Sequence, residues 1–232
     1  MLQITKIVLL LCLLITGLLI TVATRAQSLT GNTGLATIPT ARMQADATLS
    51  FGFSYFDKKH QQYFEGTKDF GAAYLNLTFL PFLEVVMRVN RPIPYHSTYT
   101  VDRFPMLKIR LLNEKKYLPA VAVGISDFAS TSSWGTVHFN ATYLVVAKKF
   151  ADFDFHLGYA PIIMKALYYQ LDGVFGGVAF APNKSVRLFA EYDTRYVNAG
   201  IQYLFLKHFS INLTTLNFDS YAAGINFKVF LK

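Results

Sequence analysis

Thr48-Leu49-Ser50-Phe51-Gly52-Phe53-Ser54-Tyr55 is the stretch on which the fold turns. Leu49, Phe51, Phe53 and Tyr55 are large and apolar, and the residues between them are small or polar. Successive side chains of a strand point to opposite faces, so this period of two describes a strand with one greasy and one wet side. The pattern returns at 73–79, 85–89, 107–111, 121–125, 137–145, 153–159, 174–180, 186–192, 197–205, 209–213 and 221–229. Within 137–145 the apolar face is read as Val137, Phe139, Tyr143 and Val145, opposite His138, Asn140 and Thr142. Twelve strands is an even number, as single-chain bacterial barrels have. Most run about 8–12 residues, against the ~9–11 that a tilted strand needs to cross a bilayer. No segment keeps a 3.6-residue period, so little helix is expected outside the N-terminus.

Composition points the same way. Of 232 residues 53% are hydrophobic, 16% aromatic and only 16% charged, where soluble domains carry about 25% charged residues. An apolar run of any length occurs only at 7–20, and nothing later approaches the ~20 residues of a spanning helix. A charge-poor, aromatic chain without a spanning helix predicts an all-β, antiparallel transmembrane barrel of about twelve strands. Two features turn the greasy face toward lipid. Gly52, Gly124, Gly158, Gly177, Gly200 and Gly224 all fall on the other face, where a narrow lumen wants small residues and a soluble strand does not. The connections also sort by length. Those near 57–68, 91–102, 127–136 and 161–172 are long; those near 81–82, 113–117, 150–152, 182–184 and 206–208 are short. That is the barrel pattern of long outer loops and short periplasmic turns. The segments 194–195 and 217–220 are short outer connections, so the asymmetry fades toward the C-terminus.

Residues 1–26 read as a cleaved export signal: Lys6 flanks the apolar core, and Thr24-Arg25-Ala26 offers a cleavage site. Cleavage would lower the net charge from +8 to +6 and remove Cys12, the single cysteine. Leu9-Leu10-Leu11-Cys12 looks superficially like a lipoprotein signal, but the apolar core continues past the cysteine. Residues 27–46 hold no clear period and are expected to form a periplasmic N-terminal segment, leaving 47–232 as the barrel, in the bacterial outer membrane.

Catalytic patterns are scarce. His60, His96, His138, His156 and His208 show no zinc spacing, and no cofactor or metal motif is present. His138 and His156 read as lumen-facing on adjacent strands, with Asp154 nearby; an outer-membrane hydrolase could use such a cluster. No serine, third partner or oxyanion donor can be placed beside it, so a non-enzyme is expected. The lumen charges are more informative. Glu84, Arg88, Lys108 and Arg110 lie on neighbouring strands, and Arg187, Glu191 and Asp193 share one strand. Such charges must pair or stay hydrated. Two readings are open: a salt-bridge lattice stiffening the barrel, or a polar path or groove for an anionic or sugar-like ligand. Tyr55, Tyr63, Tyr95, Tyr99 and Tyr159 suit an interface girdle, with some free to stack on sugar rings. The positive charge suits outer-membrane lipids and lipopolysaccharide phosphates as partners. The basic residues are dispersed, which does not suit nucleic acid.

Several stretches carry a family resemblance. Gly34-Leu35-Ala36-Thr37-Ile38-Pro39-Thr40-Ala41-Arg42 with Asp46, then Leu80-Pro81-Phe82-Leu83-Glu84-Val85 and Arg88, open it. Asp102-Arg103, Arg110-Leu111-Leu112, Tyr117-Leu118-Pro119-Ala120-Val121-Ala122-Val123-Gly124 and Asp127-Phe128 form its most specific block. Ala147-Lys148-Lys149-Phe150, Gly173-Val174-Phe175-Gly176-Gly177 and Glu191-Tyr192-Asp193 follow in order. Together they resemble the YjbH-type exopolysaccharide outer-membrane proteins over residues 31 to about 205. The resemblance implies a non-enzymatic barrel in exopolysaccharide production, export or surface assembly, with exopolysaccharide and periplasmic export components as partners. It also implies that longer members, which look like two barrels in one chain, contain this chain's counterpart as the first. A general small-solute porin shares the fold and is the alternative reading.

Overall fold

Each alternating segment of the sequence gives a strand in the computed structural model, the one read at 137–145 only from Ala141 on; the structure describes residues 27–61, 68–94, 102–129, 138–166 and 171–231. The export signal, His96, Val137, Tyr63, Tyr95 and Tyr99 lie outside the described residues. The strands are β1 (Thr48–Phe56), β2 (Asp69–Leu80), β3 (Leu83–Ile93), β4 (Asp102–Leu112), β5 (Ala120–Ser126) and β6 (Ala141–Phe150). They continue as β7 (Phe153–Ala160), β8 (Gly173–Phe180), β9 (Val186–Tyr192), β10 (Val197–Phe205), β11 (Phe209–Leu216) and β12 (Ser220–Phe230). One helical turn, α1 (Lys58–Gln61), follows β1. Each strand pairs antiparallel with its neighbours in sequence, and β1 pairs with β12 from Thr48↔Phe230 to Phe56↔Ala222, closing the ring. Closure leaves no sheet edge, the condition for a sheet in hydrocarbon.

The outward positions form an apolar belt: Phe53, Leu75, Met87, Leu144, Leu157, Val174, Leu213 and Ile225 are exposed around the circumference. Inside sit Ser50, Asn76, Glu84, Lys108, His156, Glu191, Gln202, Asn212 and Lys228, all buried. A closed barrel with this inside-out polarity is an outer-membrane protein.

The inner face also holds aromatic rings, which explains its glycines. Gly52 faces Tyr74, Gly124 faces Tyr143, Gly158 faces Phe175 and Gly200 faces Phe189, each as a direct cross-strand partner. A Cβ on any of the four glycines would strike its partner's ring. The ring comes close against the bare backbone, and glycine is required for that approach. This overturns the expected faces of one strand. In β6, Tyr143 and Val145 point into the lumen and are buried, while Leu144 is the exposed neighbour. Apolar character marks the lipid face only where no inward ring is needed to fill space.

The strand ends joined by the four long connections, 57–68, 94–101, 127–140 and 161–172, lie at one end of the barrel with the shorter 193–196 and 217–219. The short turns 81–82, 113–119, 151–152, 181–185 and 206–208 lie at the other. Twelve strands spaced ~4.8 Å and tilted ~40° give a backbone radius of roughly 12 Å. Side chains just fill the interior of an eight-stranded barrel, so a ring of twelve leaves space that something else must occupy.

Candidate functional site: the lumen and its plug

Residues 27–44 occupy that space. They were expected outside the barrel; instead Leu35, Ala36, Ile38, Ala41 and Met43 have no exposed surface. The segment folds on itself through Ser28 N–H to Asn32 O (2.9 Å), Leu29 N–H to Ala36 O (2.8 Å) and Thr40 N–H to Thr33 O (3.2 Å). Gly31 turns with φ +99°, and a Cβ there would lie 2.7 Å from Cγ of Tyr74. Two lumen glycines serve the same segment. A Cβ on Gly177 would meet Leu35 at 2.6 Å, and one on Gly224 would meet Leu29 at 2.7 Å. A chain inside a barrel makes few backbone bonds of its own, so its amides and carbonyls need partners from the wall.

The wall supplies them from opposite sides. On β3, Glu84 accepts the Thr33 amide and hydroxyl, both at 2.7 Å. On β9, Glu191 accepts the amides of Ala36 (2.8 Å) and Thr37 (2.9 Å) and the Thr37 hydroxyl (2.6 Å). β3 and β9 are six places apart in a ring of twelve, so the carboxylates grip the plug across the lumen. Lys108 lies 3.3 Å from Glu84 and donates to the carbonyls of Thr33 (3.0 Å) and Arg42 (2.9 Å). Asn76 donates to Gly31 O (2.8 Å), and Gln202 donates to Leu35 O (3.1 Å). Arg187 reaches Gly34 O (3.3 Å), Gln202 (3.3 Å) and the ring of His156 (3.3 Å).

At the turn end the plug leaves through Arg42, whose guanidinium meets Asp154 at 2.6 and 3.1 Å and Glu114 at 2.5 Å. Burial pulls the Arg42 pKa down, but the bonds and charges of Asp154 and Glu114 more than restore it, so this cation is held above its usual range. Burial likewise raises the Glu114 carboxyl, but the Lys149 amide and Arg42 outweigh it and the net direction is down. At the loop end, burial raises Asp127 against the amides of Phe139 (2.9 Å) and His138 (2.7 Å) that its carboxylate accepts.

The remaining candidates part company. Arg88 stacks over Phe104 at 4.9 Å and Phe139 at 5.1 Å. Arg110 bonds the Pro81 carbonyl in a turn. Asp193 braces the β9–β10 connection, accepting the Arg195 (3.1 Å) and Tyr196 (2.8 Å) amides and Asn198 (2.9 Å). His138 and His156 are not neighbours. His156 pairs with Ala147 across β6–β7, and His138 lies beyond the start of β6 at Ala141, itself roughly 20 Å from Ala147 at ~3.3 Å per residue. His138 sits before β6, 3.8 Å from Asp102, while His156 lies 3.6 Å from Asp154. The hydrolase cluster is therefore dissolved. Among the described residues, no group of three His, Cys, Asp or Glu side chains could hold a metal ion.

Sequence reasoning missed Thr33, Thr37 and Arg42, because a segment with no period carries no face to read. Their signal was present in another form: hydroxyls and a guanidinium clustered in a short stretch of small residues, ahead of a barrel lined with acids.

Cavities of about 40 and about 540 Å³ flank the plug. The small one lies between the plug and the loop end, against Arg88, Phe139 and Leu171. The large one opens at the turn end, between the β6–β7 and β8–β9 turns and the ends of β10, β11 and β12.

Fold and lumen define the class: a twelve-stranded outer-membrane barrel closed by its own N-terminal segment. The chain belongs to the YjbH family, whose model, described as exopolysaccharide biosynthesis protein YbjH, matches residues 26–165. It is 35% identical over 143 residues to the uncharacterized lipoprotein YjbH of Escherichia coli (strain K12), a match covering 57% of this chain and 18% of that protein. The chain therefore spans less than a fifth of that relative's length. Among solved structures it resembles the KdgM porin, and the KdgM porin in complex with disordered oligogalacturonate. Each aligns with a TM-score of 0.50 at 12% identity, over 80% of this chain and 99% of the other.

Proposed function

We propose that this protein is a non-enzymatic outer-membrane barrel that acts in the production or export of an exopolysaccharide and in surface assembly. Its partners on this reading are outer-membrane lipids and lipopolysaccharide, the polysaccharide, and export components in the periplasm. The observation that carries the proposal is the plug, taken with the family assignment. A segment fixed by two buried carboxylates fills the lumen. A barrel serving a secretion pathway can remain shut until engaged, whereas a general solute porin needs a standing aqueous path.

The first test is genetic: deleting the gene lowers secreted polysaccharide, and unchanged secretion would sink the reading. The second reading, a small-solute porin, draws on the porin-like fold of the solved structures it resembles. Conductance in planar bilayers separates the two. The closed-lumen reading expects the full chain to be silent and a variant lacking 27–41 to conduct steadily. A large open conductance from the full chain favours the porin.

A further inference from the structure

We propose that the turn-end vestibule is a binding site for an anionic oligosaccharide, with Lys149 and Lys184 at its rim as the residues that select for charge. The inference rests on the polysaccharide reading and deepens it. The cavity measures about 540 Å³, within the range of about 300–1,000 Å³ typical of ligand sites. Its charged lining is Arg42, Lys149, Lys184, Arg187 and Lys228 against Asp152 and Asp154; with Glu114, which pairs with Arg42 just behind the wall, the excess is two positive charges. The cations come from the plug, the end of β6, the β8–β9 connection, β9 and β12, so they surround the space rather than cluster at one point. That spread suits a ligand with several charges along its length better than a single small anion. Low-dielectric walls around such a cleft concentrate its field and attract anions.

The lining has the second requirement of a sugar site, polar groups able to meet hydroxyls: Asn183, Ser185 and Ser210. Arg42 and Arg187 are engaged, with Asp154 and Glu114 and with the plug carbonyl of Gly34. The exposed Lys149 and Lys184 stand where an entering carboxylate first meets the protein. The plug forms part of the cavity wall through Thr33 and Arg42. A ligand in the vestibule therefore touches the segment that closes the barrel.

The test uses the purified full chain in detergent micelles and isothermal titration with three probes: a galacturonate hexamer, neutral maltohexaose and inorganic phosphate. The hexamer binds and weakens steeply with added salt, while the other two bind at least tenfold more weakly. Lys149→Glu with Lys184→Glu weakens the hexamer at least tenfold with barrel circular dichroism unchanged. Lys58→Glu with Lys59→Glu, at the loop end, leaves it unchanged. Equal binding of maltohexaose or phosphate, no hexamer binding, or an unaffected rim variant overturns the site. The two proposals fail separately. If deleting the gene abolishes secretion but the hexamer does not bind, the vestibule falls and the pathway role stands. If the hexamer binds as described but secretion survives deletion, the pathway role falls and the site stands.

Discussion

The strand wall and the plug within it are built by opposite rules. The wall satisfies its backbone internally, strand to strand, and spends its side chains on two solvents, lipid outside and a crowded lumen inside. The plug has little secondary structure, only the isolated bridges Gln27↔Thr33 and Gly34↔Pro39, yet residues 27–41 are buried throughout. Its backbone is satisfied by wall side chains: Glu84, Lys108, Glu191, Asn76, Gln202 and Arg187. Regular hydrogen bonding makes the wall robust to single changes, whereas the plug depends on a handful of charged contacts.

The sharpest way to break this contrast is to remove both grips. Glu84→Ala with Glu191→Ala leaves Lys108 without its carboxylate and several plug amides without acceptors. Such losses cost about 3–5 kcal/mol for a buried pair. Hydrogen exchange is expected to lose protection at Thr33, Ala36 and Thr37 while strand amides and circular dichroism persist. Collapse of the strands as well would mean that plug and wall fold as one unit. A change confined to the wall comes next. Leu75→Arg puts a cation on the lipid face near mid-strand, where the penalty is about 2–4 kcal/mol, read by denaturant unfolding from vesicles; plug protection should be untouched. Smaller again is Gly124→Ala, whose new Cβ meets Tyr143. Overpacking of this kind costs about 1–3 kcal/mol, and adding Tyr143→Leu should recover most of it.

The smallest effect is at the plug's exit. The folded Glu114 carboxyl titrates below its ordinary value of 4.5, so its contribution is present above that value and fades as pH falls through the lower one. A partly exposed pair of this type is worth under about 1 kcal/mol. The stability gap between the protein and Glu114→Gln should hold from neutral pH down to about 5 and close further into acid, measured by thermal unfolding.

The legible and illegible parts of the sequence follow the same division. Leu49, Phe51, Phe53 and Tyr55 announce β1 because lipid and lumen impose different side chains at alternate positions. Glu84 and Lys108 announce themselves as inward charges for the same reason. Tyr143 and Val145 mislead, since an inward ring over Gly124 is as apolar as a lipid-facing one, and only the cross-strand register tells them apart. His138 and His156 look adjacent when both are read as strand residues, but register places them at different heights.

By itself the sequence determined the number of strands, their faces outside β6, the sorting of loops from turns and the membrane setting. Those follow from local alternation, which every strand carries within itself. Only the tertiary structure decided that the lumen is filled by residues 27–44, and which charges hold them. Those contacts join positions as far apart as Thr37 and Glu191. They exist because a twelve-stranded ring is too wide for its own side chains to fill.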